Sequence, residues 1–118
     1  MSKPLVSGEI KFDQPPHLPS AAKAYVQLLD VSAADAPSRT IAKQVLTDIS
    51  QKAGSGQSIP FDLYGTIPDE RGSYAISVHV DVDNDGKISS GDFITMQSYP
   101  VLTYGYPNRV SVQVKKVS

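Results

Sequence analysis

Apolar residues recur mostly at every second position, and turn-forming residues interrupt them at short intervals. The clearest run is Tyr74-Ala75-Ile76-Ser77-Val78-His79-Val80-Asp81-Val82. Tyr74, Ile76, Val78, Val80 and Val82 share one parity; Ala75, Ser77, His79 and Asp81 share the other. Alternation of this kind predicts a strand with one buried face. Val110–Val114 repeats the pattern, as does Ala24, Val26 and Leu28 against Tyr25, Gln27 and Leu29. Gly8–Phe12, Ile59–Leu63 and Phe93–Met96 are further strands on the same grounds. Pro60 cannot donate to a ladder, which assigns its strand to an edge or a bulge. Breaks are expected at Pro15-Pro16, Pro19, Pro37, Gly54-Ser55-Gly56, Pro68, Asp85-Gly86 and Gly105–Pro107.

Arg39–Ala53 fits two templates. Ile41, Val45, Ile49 and Ala53 have helical spacing, with Ser38 to cap and Gly54 to end it, yet Ile41, Val45 and Ile49 also share a parity. Short strands, frequent turns and no long helix point to a seven-stranded antiparallel β-sandwich of the immunoglobulin or transthyretin kind. The chain, residues 1–118, is expected to be a single domain, with residues 1–5 a disordered tail.

Composition narrows the function. Eleven basic and twelve acidic side chains leave a net charge of −1, so no basic stripe stands ready for phosphates, and nucleic acid is not an expected partner. With no cysteine there are no disulfides, thiolate metal sites or cysteine nucleophile. No run approaches the ~18 apolar residues of a membrane span, and Met1-Ser2-Lys3-Pro4 does not read as a leader. The expected location is cytoplasmic, or extracytoplasmic if a leader was removed.

One constellation has specific chemistry. Counted from Asp81, the segment Asp81–Asp92 puts acidic oxygens at loop positions one, three, five and twelve (Asp81, Asp83, Asp85, Asp92), with Gly86 at the sharp sixth position. Lys87 would offer its carbonyl and Ser89 its hydroxyl, while Ile88 would point inward and tie the loop to the core. These are the donors of an EF-hand calcium loop, and Ca2+ is the expected ion. Asp92 is shorter than the usual bidentate glutamate, and the flanks are strands, so the expected role is structural rather than that of a sensor. The plain alternative is a hairpin turn at Asn84-Asp85-Gly86.

His79, beside this loop, is a candidate partner for it or an ordinary exposed strand residue; His17, between prolines, is expected in a loop. No Gly-x-Ser-x-Gly element occurs and the two histidines are distant in sequence, so no enzyme is expected, a small hydrolase being the least favoured reading. Tyr99, Tyr104 and Tyr106 lie in one proline-punctuated tract suited to docking a peptide or, alternatively, to stacking on carbohydrate, unless they only cover a strand end.

Over Val6 to Val117 the chain resembles the YbaY-like lipoprotein and type III secretion pilotin (lipoprotein chaperone) family. The likeness rests on Ser7-Gly8-Glu9-Ile10, Leu18-Pro19-x-x-Ala22, and Val26-Gln27-Leu28-Leu29-Asp30-Val31-Ser32-x-x-Asp35-Ala36-Pro37. Ile59-Pro60-Phe61-Asp62-Leu63 and Tyr99-Pro100-Val101-Leu102-Thr103-x-Gly105 complete it. The resemblance implies a compact β-sandwich facing the periplasm, a strand over Arg39–Ser50, and in some members a pilotin role that helps an outer-membrane secretin reach its place. The expected function is thus a calcium-stabilised, non-enzymatic module that docks a protein partner in envelope or secretion assembly.

Overall fold

The computed structural model describes residues 3–33, 37–67 and 69–117. Among the described residues eight strands form: β1 (Val6–Phe12), β2 (Lys23–Asp30), β3 (Arg39–Leu46), β4 (Ile59–Leu63), β5 (Tyr74–Asp81), β6 (Phe93–Ile94), β7 (Pro100–Val101) and β8 (Arg109–Lys116). One short helix, α1 (Ser50–Gly54), follows β3. Both templates for the ambiguous segment are therefore used in turn. The strand ends at Leu46 because Asp48 takes φ 55°, a left-handed turn that no ladder continues. Ile49 and Ala53 are then buried by the helix.

Seven strands follow one hydrogen-bonded path, β3-β2-β5-β6-β8-β1-β4, and β7 pairs separately with the start of β5. Two features correct the expected antiparallel sandwich. First, β1 and β8 run parallel, from Ser7 opposite Arg109 to Phe12 opposite Val114. Second, the two-residue β6 pairs with both β5 and β8, so the sheet is continuous and rolls into a nearly closed barrel instead of splitting into two layers. Pro60 sits in β4, at the end of the path, where a missing donor costs least. The two ends of the path approach each other, and Gln44 of β3 accepts the Asp62 backbone N–H of β4 through Oε1 at 2.8 Å. A side chain thus does at the seam what a ladder bond does elsewhere.

The alternating positions face inward as their parity predicts. Val6, Ile10, Val26, Leu28, Phe61, Leu63, Val78, Val80, Val112 and Val114 are all buried in one cluster. Tyr74 is buried too, and its hydroxyl donates to the Asp69 carbonyl at 2.8 Å and accepts from the Asp69 N–H at 3.1 Å, so no polar atom is orphaned. Gly8 is needed where β1 and β8 meet. A Cβ there would collide with the Val110 carbonyl oxygen and lie 2.9 Å from the Phe61 ring. At the N-terminus, Met1 and Ser2 of the expected tail lie outside the described residues, whereas Leu5 already donates to the Leu63 carbonyl at 2.7 Å and packs on the core.

Candidate functional site

β5 delivers the acidic loop. Its last residue, Asp81, belongs to the polar parity yet is fully buried, because the loop folds back over it. The carboxylate accepts the backbone N–H groups of Asp85 (3.3 Å) and Gly86 (2.8 Å). The bend is completed by Asn84 at φ 56° and Gly86 at φ 77°, and Asp85 accepts the Lys87 N–H at 2.9 Å. Lys87 itself is exposed.

Asp92 closes the far side of the loop and is 1% exposed. Its Oδ1 accepts the Val82 N–H at 3.0 Å; its Oδ2 accepts the Ser89 N–H at 3.1 Å and the Ser89 hydroxyl at 3.4 Å, and pairs with His79 Nε2 at 2.8 Å. Burial pushes the Asp92 carboxyl up, but His79 and the two backbone donors together outweigh it and hold the group below the usual carboxylate range. The loop is tied to the C-terminal strand by Val117 N–H to Asp92 O at 2.7 Å and Gly91 N–H to Val117 O at 2.9 Å.

Ligand oxygens of Asp81, Asp83, Asp85 and Asp92 all lie within 4.8 Å of one another. The Ser89 hydroxyl, which also donates to Asp83 at 3.2 Å, lies among them. Ile88 does not follow the expectation. It is 61% exposed instead of anchoring the loop. The anchoring is done by Asp92 and His79.

His79 is half-buried rather than free on the surface, and its ring stacks near Tyr25 with centroids 6.0 Å apart. Lys43 sits over the other side of that network, 5.2 Å from the Tyr25 ring centre. The contact is made by strand pairing: β6 sets Ile94 opposite His79, which brings Asp92 within reach of the imidazole. A histidine, a carboxylate and a serine therefore meet here, but the carboxylate stands between the other two. Both bond to Asp92 Oδ2, so the imidazole does not touch the hydroxyl and cannot activate it as a nucleophile. His17 lies apart, in the segment leading to β2.

The three tyrosines of the proline-punctuated tract are not brought together. Tyr99 packs against the core, and its hydroxyl accepts the Gln113 N–H at 2.9 Å and donates to the Gln113 carbonyl at 3.2 Å, standing in for a neighbouring strand on the free edge of β8. Tyr104 and Tyr106 remain 69% and 50% exposed, Tyr104 donating to the Arg71 carbonyl.

A groove of ≈ 690 Å³ opens beside the acidic loop, at the end of the barrel where β1 and β8 finish. Leu18, Val82, Phe93 and Val114 line it together with Pro15, Pro16 and His17, and its charged groups are Asp13, Lys115 and Lys116. Phe93 is braced edge-on by Phe12 at 5.1 Å. Among the described residues neither lysine has a carboxylate within ion-pair distance. Such a groove suits a segment that presents apolar side chains and carries carboxylates.

Residues 1–114 match the model of a family described as type III secretion system lipoprotein chaperone (YscW). The chain belongs to this family. A solved structure, an alternative pilotin from the type II secretion system of Vibrio cholerae, is similar over 96% of each chain, with a TM-score of 0.78 and 29% sequence identity. No curated protein matches. Of the motif pieces that resemble the secretion pilotins, the aspartate-alanine pair at positions 35–36 lies outside the described residues; Gly8, Phe61 and Val101 are among those whose packing role is plain. The YscW description is that of a chaperone, a binding role and not a catalytic one.

Proposed function

We propose that this chain is a docking protein for a component of a secretion apparatus at the cell envelope, holding a segment of that partner in the groove between Leu18, Phe93 and Lys115-Lys116. Membership of the lipoprotein chaperone family carries the reading, and the likeness to a type II pilotin supports it. The groove supplies the two things docking needs: apolar surface to bury, and cations that pair with no carboxylate among the described residues and can orient an acidic segment. The partner proposed is an outer-membrane secretin subunit of such an apparatus. The test is titration of that subunit against the parent chain and a Lys115→Glu/Lys116→Glu variant. Both lysines are exposed at the end of β8, so folding should be untouched, and loss of two charge pairs should weaken binding about tenfold or more. Equal affinity for parent and variant, with equal melting temperatures, would sink the groove as the docking site.

A second reading concerns the acidic loop. We propose that Asp81, Asp83, Asp85 and Asp92, with the Ser89 hydroxyl and the Lys87 carbonyl, hold Ca2+ and so stiffen the hairpin between β5 and β6. The convergence of four carboxylates, two of them buried and none paired with lysine or arginine among the described residues, favours it. Calcium at ~100 times its dissociation constant should add about 2.7 kcal/mol of stability. Identical melts in calcium and in chelator would retire the site.

A further inference from the structure

The outer face of the sheet holds a second cavity, of ≈ 390 Å³, which shares no residue with the docking groove. Its floor follows from the strand register. One parity of β2 and β5 is spent on the core, so the alternate positions face out. Lys43 of β3 lies opposite Gln27 of β2, and Gln27 lies opposite Ser77 of β5. An ammonium, an amide and a hydroxyl thus form one row across three strands. Among the described residues none of these three side chains has a hydrogen-bond or ion-pair partner. The neighbouring row sets Tyr25 opposite His79. The roof is the acidic loop, which contributes Gly86 and Ile88. Ile88, 61% exposed and outside the core, gains an apolar role at the edge of this cavity.

We propose that this cavity binds a neutral saccharide. Charge narrows the ligand first. Asp81, Asp83, Asp85 and Asp92 belong to the loop that forms the roof, so an anion is repelled there, while Lys43 on the floor repels a cation. Hydrogen bonding narrows it further. His79 spends Nε2 on the Asp92 carboxylate, which leaves Nδ1 of the neutral ring as an acceptor. Lys43 only donates, whereas Gln27 and Ser77 both donate and accept. A mixed set of this kind is matched by groups that also do both, and the hydroxyls along a sugar ring are such groups; a carboxylate or a phosphate only accepts. The volume is that of a small-ligand site, and Ile88 offers apolar surface to the C–H groups of a pyranose. Tyr25 does not stack on the sugar. Lys43, 5.2 Å from its ring centre, and His79, stacked with centroids 6.0 Å apart, come from the strands on either side of β2 and take its two faces. The tyrosine instead fixes where the ammonium and the imidazole stand. Hydroxyl bonds therefore hold the ligand more than stacking does.

The test is a nuclear magnetic resonance titration of the isotope-labelled chain with glucose, N-acetylglucosamine, maltose, glucuronate and glucosamine. Excess chelator is present, so the outcome does not depend on calcium. A neutral sugar should shift the backbone amides of Gln27, Ser77, His79 and Ile88 and reach half-saturation at about 1–10 mM. Glucuronate and glucosamine should bind severalfold more weakly, for the charge reasons given. Gln27→Ala/Ser77→Ala removes two bonding groups from half-buried outer positions. It should weaken binding about tenfold or more while the melting temperature stays as in the parent. The proposal is overturned if no neutral sugar moves these amides at ~100 mM, if glucuronate binds as tightly as glucose, or if the double variant binds as the parent does. Shifts scattered over the surface instead of gathered at the cavity overturn it as well. The docking groove takes no part in any of these readings, so its own test stands apart.

Discussion

Removing the Asp92 carboxylate separates the two roles this residue could have. In Asp92→Ala, the Val82 N–H, the Ser89 N–H and His79 Nε2 all lose their acceptor. A charge-assisted hydrogen bond contributes roughly 1.5–3 kcal/mol when its partners are dry. Val82, Ser89 and His79 are only half-buried, so water recovers part of each, and about 1 kcal/mol apiece is the fair figure, or ~3 kcal/mol together. For a domain of this length each kcal/mol moves the midpoint by ~4 °C, giving a fall of about 12 °C. The assay is thermal unfolding followed by circular dichroism in excess chelator, where no ion can contribute. Asp83→Ala, which removes only an exposed acceptor of the Ser89 hydroxyl, should stay within ~2 °C of the parent under the same conditions. If Asp92→Ala in chelator also melts within ~2 °C of the parent, Asp92 is not the clasp of the loop and the reasoning fails.

Three further outcomes follow from the fold. Gly8→Ala should destabilise by more than ~3 kcal/mol or prevent folding, because the new methyl collides with the Val110 carbonyl at the parallel β1–β8 pair; a urea midpoint equal to the parent's would contradict this. Tyr99→Phe should cost about 1–2 kcal/mol in the same titration, since the hydroxyl caps both backbone groups of Gln113; no change would mean that water replaces it freely. Acid should unfold the protein at pH values below the ordinary carboxylate range. Hydrogen bonds from Ser58 and then Ser111 hold Glu9 below 4.5, and those from Ser32 hold Asp30 below 3.8. Asp92 is lowered as well. Lowered carboxylates stabilise the fold above their ordinary values and lose that contribution as pH falls through the folded ones. The melting temperature should therefore be flat near neutrality and drop below pH ~4; a rise on acidification would refute the assignment.

The strands were legible because each needs only a local pattern. Val26, Leu28, Val78, Val80, Val112 and Val114 face inward because alternate positions on a pleated chain must share a face, whatever lies opposite. The acidic cluster was legible for a similar reason: Asp81, Asp83, Asp85 and Gly86 are near in sequence, and a tight bend brings them near in space. The family, too, could be read from short motif pieces such as Ser7-Gly8-Glu9-Ile10. What the residues alone settled was thus the local order of the chain: which segments extend, where they turn, and which side of each is apolar.

The tertiary structure decided everything that depends on partners distant in sequence. Alternation is the same in parallel and antiparallel pairs, so nothing local foretold that β1 would lie parallel to β8. Nor could it show that two residues, Phe93 and Ile94, would join the halves of the sheet into one barrel. Tyr99 looked like its neighbours Tyr104 and Tyr106 until the edge of β8 claimed its hydroxyl. Ile88 looked like an anchor until no surface closed over it, and His79 became one because β6 set Asp92 beside it. Periodicity tells a side chain which way to point; only the folded sheet determines what it meets there.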